Sequence, residues 1–191
     1  MLARDQASGL PRPFSNAPQT PNPAVANPNA MHPAKPSSPS ALDLRVPPLL
    51  LWVVSALSIL AIARWVPFGL WPIPGQALIG SALILIGALI ALAGVWAFAQ
   101  ARTTVNPMAP EAASSIVTVG VYRYTRNPMY LGMAAALLGL ALWPPSPAGI
   151  GIVALFCAYL SRYQIKPEEA ALQRRFGSAY VDYCARVRAW L

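Results

Sequence analysis

The sequence predicts an all-α integral membrane protein, with about four transmembrane helices and a C-terminal amphipathic helix on the cytoplasmic face. Three observations carry this. Charged residues make up 10% of the chain and hydrophobic residues 56%, whereas a soluble domain usually carries about 25% charged residues. Four apolar runs follow one another, and the basic residues gather in alternate connections between them. Strand-like alternation of polar and apolar residues is missing.

Residues 1–44 are rich in Pro, Ala, Asn and Ser. Such a segment buries too little apolar surface to offset its ordering entropy, so a disordered tail is expected. No apolar stretch follows its first charges, unlike a secretory signal. Residues 45–191 then form the membrane domain, with its chemistry in the part from about 100 to 191.

The first run, Pro47 to Trp65, and the second, Gln76 to Ala99, meet the requirement of about 20 residues for a spanning helix. The third, Pro128 to Leu142, and the fourth, Ala148 to Tyr163, are shorter. Fifteen residues at about 1.5 Å each cover roughly 22 Å of a ~30 Å hydrocarbon core. Trp143-Pro-Pro-Ser-Pro147 turns these two runs into an antiparallel hairpin, because Pro cannot continue a helix. In the second run Gly80, Gly87 and Gly94 recur every seven residues, which places them on one face as a packing seam. Leu172 to Leu191 reads as an interfacial helix broken at Gly177, with Tyr180, Cys184, Val187 and Leu191 on one face.

The net charge of +8 comes from residues that flank the apolar runs. Of all Lys and Arg residues only Arg64 falls on one side of a four-span arrangement. Both termini and the 100–127 loop are therefore expected in the cytoplasm. No basic stripe interleaved with aromatics suggests nucleic acid. One His and two Cys are too few for a metal site. Gly-rich phosphate loops, G-x-S-x-G and H-E-x-x-H are absent from the sequence.

Gly120-Val-Tyr-Arg-Tyr-Thr-Arg-Asn-Pro-Met-Tyr-Leu-Gly132 sets two arginines and three tyrosines at the front of the third run. One account is local: Asn127 caps a helix that starts at Pro128, and arginines and tyrosines sit among headgroups. The other is a polar pocket, since free N–H groups at a helix start attract anions. Glu168-Glu169 invites the same two accounts, as a neutraliser of the helix dipole or as carboxylates for a cation or amino group. Topology puts the pair on the same side as Arg123, Asn127 and Tyr130.

Taken with the ending Phe176-Gly-x-x-Tyr180-x-x-Tyr183-x-x-x-Val187-Arg188, these elements resemble the isoprenylcysteine carboxyl methyltransferase and phospholipid methyltransferase superfamily of membrane enzymes. Thr103-Thr104-Val-Asn-Pro107 is also similar to its bacterial members. The resemblance covers roughly the last ninety residues. It implies a methyltransferase using S-adenosylmethionine and a lipid or other hydrophobic acceptor. The cofactor would lie against Tyr122, Arg126, Asn127, Pro128, Tyr130, Gly132, Glu168 and Glu169, with Arg188 and Tyr130 in catalysis. Glutamate suits the ammonium and ribose hydroxyls, and an arginine with the helix start suits the carboxylate. Isoprenylcysteine members typically carry His where this chain has Asn127, which points to the phospholipid type. Alternatives are a sterol-type NADPH-dependent reductase, for which the chain is short, and a four-helix transporter or scaffold, for which no run has a charge at its centre.

Overall fold

The computed structural model describes residues 43–65, 74–101, 114–143 and 146–191. The proposed tail, apart from its last two residues, and the Thr103–Pro107 motif lie outside the described residues. Six α-helices are described: α1 (Pro48–Trp65), α2 (Gln76–Gln100), α3 (Pro128–Ala141), α4 (Pro147–Tyr159), α5 (Lys166–Phe176) and α6 (Ser178–Arg186). A 3-10 turn at Gly120–Arg123 precedes α3, and a π turn at Leu160–Ile165 joins α4 to α5. Among the described residues there is no β-strand. In hydrocarbon every backbone N–H and C=O must be satisfied within its own segment, which makes these apolar runs helical despite their β-branched residues.

α1, α2 and the continuous helix Pro147–Phe176 are long and apolar enough to cross a membrane. The chain is an integral membrane protein. α3 has 14 residues, or about 21 Å of rise. It occupies the middle of the bundle, with Leu137 and Ala141 fully buried.

α3 is held differently on its two sides. Towards α1 and α4 it contributes Tyr130, Ala134, Leu137 and Ala141 to a core with Ile59, Val153, Phe156 and Leu160. The Trp52 indole N–H donates to the Met133 carbonyl at 3.0 Å. Towards α2 the contact is backbone on backbone. A Cβ on Gly87 would lie 2.5 Å from the Gly132 oxygen, and one on Gly80 would lie 2.7 Å from the Gly139 oxygen. Gly94 faces Pro128 and Met129. The heptad glycines of α2 thus meet a matching Gly132/Gly139 pair on α3, running antiparallel. Lipid tails are as apolar as leucine, so close packing has to hold such helices together.

Gly80 opposite Gly139, Trp52 opposite Met133, and Leu44 N–H on the Tyr163 carbonyl at 3.0 Å give the four helices alternating directions. The start of α1, the end of α2, the start of α3 and the end of α4 share one end of the bundle.

Two expectations need correction. The fourth run does not stop at Tyr163; it continues through the π turn into α5, a 30-residue helix. Pro167 should break it, because proline lacks an N–H and crowds the carbonyl four residues earlier. That carbonyl is Tyr163, and Leu44 supplies the missing donor. The last helix also ends earlier than Leu191. Val187 is extended, with φ −126° and ψ 132°, and residues 187–191 run as a non-helical strap.

Candidate functional site

The polar residues singled out in the sequence meet at the shared end of the bundle. Asn127 occupies the position before α3, and Pro128 supplies a first helical residue that needs no N–H partner. Asn127 makes no side-chain cap. Its amide donates instead to the Ala189 carbonyl at 2.9 Å. Thr125 Oγ1 donates to the same carbonyl at 3.3 Å, and Arg126 N–H donates to the Arg188 carbonyl at 2.9 Å. Thr125, Arg126 and Asn127 therefore bind the backbone of the strap, whose carbonyls have no helix to satisfy them.

Arg126 completes the attachment. Its Nε and Nη2 donate to Glu169 Oε1 at 2.9 and 2.5 Å. Its Nη1 donates to the carbonyls of Cys184 and Val187. Burial opposes the guanidinium charge, but the Glu169 hydrogen bond and charge more than offset it, and the Arg126 pKa lies above its usual value. This arginine is committed within the protein and is not free for a ligand carboxylate in this arrangement.

Glu168 is placed otherwise. Its Oε2 accepts the Tyr130 hydroxyl at 3.2 Å, and buried Gln164 also reaches that hydroxyl. Among the described residues no Lys or Arg pairs with Glu168. Tyr122 stands nearby, 4% exposed, with Phe98 edge-on at 5.3 Å. Its hydroxyl is buried and has no hydrogen-bond partner among the described residues. Burial, then the Glu168 charge, raises the Tyr122 pKa far above the usual phenol value, so the group remains a donor. A buried hydroxyl without a partner costs about 1–3 kcal/mol, and a site that binds a ligand is one place where such a cost persists.

α6 packs against this end of the bundle. Tyr180 and Tyr183 are buried, and the Tyr183 hydroxyl donates to the Tyr122 carbonyl at 2.8 Å. Burial pushes Tyr183 up to about 12 and raises Tyr180 as well. Burial also raises the Cys184 thiol, the opposite of what a nucleophilic cysteine needs. Beside Tyr122, Trp96, Ala97, Val119, Gly120 and Val121 line an apolar groove of about 200 Å³ between α2 and the 3-10 turn.

The predicted residues thus divide. Tyr122, Tyr130 and Glu168 surround one spot. Arg126, Asn127 and Glu169 build its wall, and Pro128 is buried against α2. Gly132 belongs to the glycine seam, where a Cβ would collide with the Gly87 carbonyl oxygen; helix packing accounts for this glycine. The Arg188 guanidinium is exposed and, among the described residues, reaches the Leu191 carbonyl at 3.5 Å. Sequence reasoning missed Gln164, Ser161 and Trp190. Gln164 lies four residues before Glu168, a spacing that puts both on one helix face, but the fourth helix was expected to stop one residue earlier.

An uncharacterized protein of Haemophilus influenzae is 38% identical over 64 residues, which is 100% of that protein and 33% of this chain. No solved structure matches. The profile of the phospholipid methyltransferase family matches residues 76–179, more than half of the chain. It takes in the glycine seam, the Tyr122–Tyr130–Glu168 cluster and the Arg126–Glu169 pair. With three helices among the described residues fit to span a membrane and a polar cluster at one end of the bundle, the chain belongs to the phospholipid methyltransferase family of membrane methyltransferases, whose acceptors are lipids.

Proposed function

We propose that the Tyr122–Tyr130–Glu168 cluster binds S-adenosylmethionine and presents its methyl group to a lipid acceptor at the cytoplasmic face of the membrane. The observation that carries this reading is the Glu168 carboxylate, which has a tyrosine donor and no basic partner among the described residues, beside the unpartnered Tyr122 hydroxyl. A carboxylate so placed is complementary to a ligand ammonium, and the rings of Tyr122 and Tyr130 suit a sulfonium. When bound, the cofactor supplies an electrophilic methyl group.

The chain's own residues do the rest. Glu168 and Tyr122 hold the polar end of the ligand. Arg126, Asn127, Pro128 and Glu169 keep the wall in place. α6 shields the cluster from water, which strengthens each electrostatic contact. The apolar groove beside Tyr122 suits a length of acyl chain, and the exposed Arg188 suits a lipid phosphate. Methyl transfer by direct displacement depends mainly on alignment, so tyrosines and a carboxylate are sufficient to position the reactants.

The test is calorimetric binding to detergent-solubilised protein. S-adenosylmethionine and its demethylated product should bind, and Glu168→Gln should weaken both about tenfold or more, the size of a lost charge-assisted hydrogen bond. Binding of NADPH in their place would replace this reading with the reductase. For orientation, cysteines at Ser114 and Trp143, both exposed, should be labelled from the cytoplasm and from outside respectively. The reverse pattern would move the site to the other face.

A further inference from the structure

The π turn runs directly into α5, and the two carboxylates of α5 have different partners. A residue advances an α-helix by about 100°, and a π turn inserts one extra residue into the helical path. Every side chain beyond Ile165 is therefore rotated by one position relative to an uninterrupted helix. With α-helical geometry throughout, Pro167 would stand where Glu168 meets Tyr130. Glu168 would then stand where Glu169 meets Arg126. The π turn decides which glutamate is the ligand's and which is the wall's.

Contacts within the helix and from outside it hold this turn, the outside ones being Leu44 N–H on the Tyr163 carbonyl and Trp190 on Ser161. Lys166 N–H donates to the Ser161 carbonyl across the wide turn. The Ser161 hydroxyl donates to the Cys157 carbonyl at 2.7 Å and accepts the Trp190 indole N–H at 3.1 Å. Trp190, partly buried against the core of α1, α3 and α4, closes the strap whose preceding carbonyls are held by Thr125, Arg126 and Asn127. The strap is thus linked to the long helix Pro147–Phe176 twice, indirectly through Arg126 to Glu169 and directly through Trp190 to the π turn.

We propose that Trp190 is a positioning residue for the methyl-transfer site, acting through Ser161 to keep the π turn and so aim Glu168 at Tyr130. This rests on the reading of Glu168 as the group that meets the cofactor. The test measures S-adenosylmethionine affinity in Trp190→Phe, which keeps the ring and loses the N–H, and in Ser161→Ala. Each should weaken binding about five- to tenfold, the worth of one hydrogen bond read through the site. The double variant should be no worse than either single one. Ser161→Thr, which keeps the hydroxyl, should restore wild-type affinity. In a Glu168→Gln background, Trp190→Phe should cause no further loss.

If Glu168→Gln alone binds normally, the cofactor reading fails. If it binds weakly and Trp190→Phe binds normally, or adds its full loss in that background, the positioning role fails while the cofactor reading stands. Should Trp190→Phe misfold, the Ser161 pair decides: equal affinity of the Ala and Thr variants overturns the proposal.

Discussion

The seam of α3 with α2 and the junction at its N-terminal end with the strap and α5 are built on opposite chemistry. The seam is backbone against backbone where Gly80 and Gly87 meet Gly139 and Gly132. The junction is side chain against backbone, with Thr125, Arg126 and Asn127 meeting carbonyls of a non-helical segment. In lipid a donor or acceptor left without a partner costs several kcal/mol, so the seam exposes none and gains by proximity. At the end of the bundle water and charge are available, and an arginine can gather a carboxylate and two carbonyls. The first interface sets where α3 stands, and the second sets what its first turn faces.

Breaking the seam should have the largest effect. Gly87→Leu places a side chain where even a Cβ would be 2.5 Å from the Gly132 oxygen. A loss of more than about 3 kcal/mol is expected from such overpacking, seen as failure to recover monodisperse protein from detergent. Recovery of stable protein would mean that the glycines do not set the approach of α2 to α3.

Breaking the junction should cost less. The side chains of Arg126 and Glu169 are 13% and 27% exposed, so Arg126→Ala should cost about 2 kcal/mol, below the loss for a fully buried pair. Thermal unfolding in detergent measures it. Arg126→Lys should recover little, because an ammonium cannot reproduce the planar fork on Glu169 and the strap. Full rescue by Lys would reduce the junction to a point charge.

The smallest effect separates ligand site from scaffold by its sign. Tyr122→Phe removes a buried hydroxyl without a described partner, so the protein without ligand should gain up to about 1 kcal/mol. Under the proposed function S-adenosylmethionine binding should weaken, by about fivefold for one neutral hydrogen bond. Lower stability together with unchanged affinity would place the hydroxyl in the scaffold.

Much of this was legible in the residues. The apolar runs mark the helices, and the seven-residue spacing of Gly80, Gly87 and Gly94 marks the seam face. The order of Arg126-Asn-Pro-Met-Tyr130 and Glu168-Glu169 suggests one candidate site, and the two segments meet at one end of the bundle. Arg126 and Asn127 were harder, because a guanidinium and an amide serve a ligand or a backbone equally well. Nothing in a linear sequence says that residues 187–190 return to take those donors. The continuation of the fourth helix was not legible for a definite reason: a proline at 167 ends a helix unless something else satisfies the freed carbonyl, and that something is the Leu44 N–H, more than a hundred residues away.

By itself the sequence determined the membrane class, the helical runs and the residue types of the site, because hydropathy and spacing act over one or two turns. Only the tertiary structure decided that Glu168 faces the tyrosines and Glu169 the arginine. Two adjacent, chemically identical carboxylates differ only in direction, and that direction is set by one extra residue in a π turn held from outside its own helix.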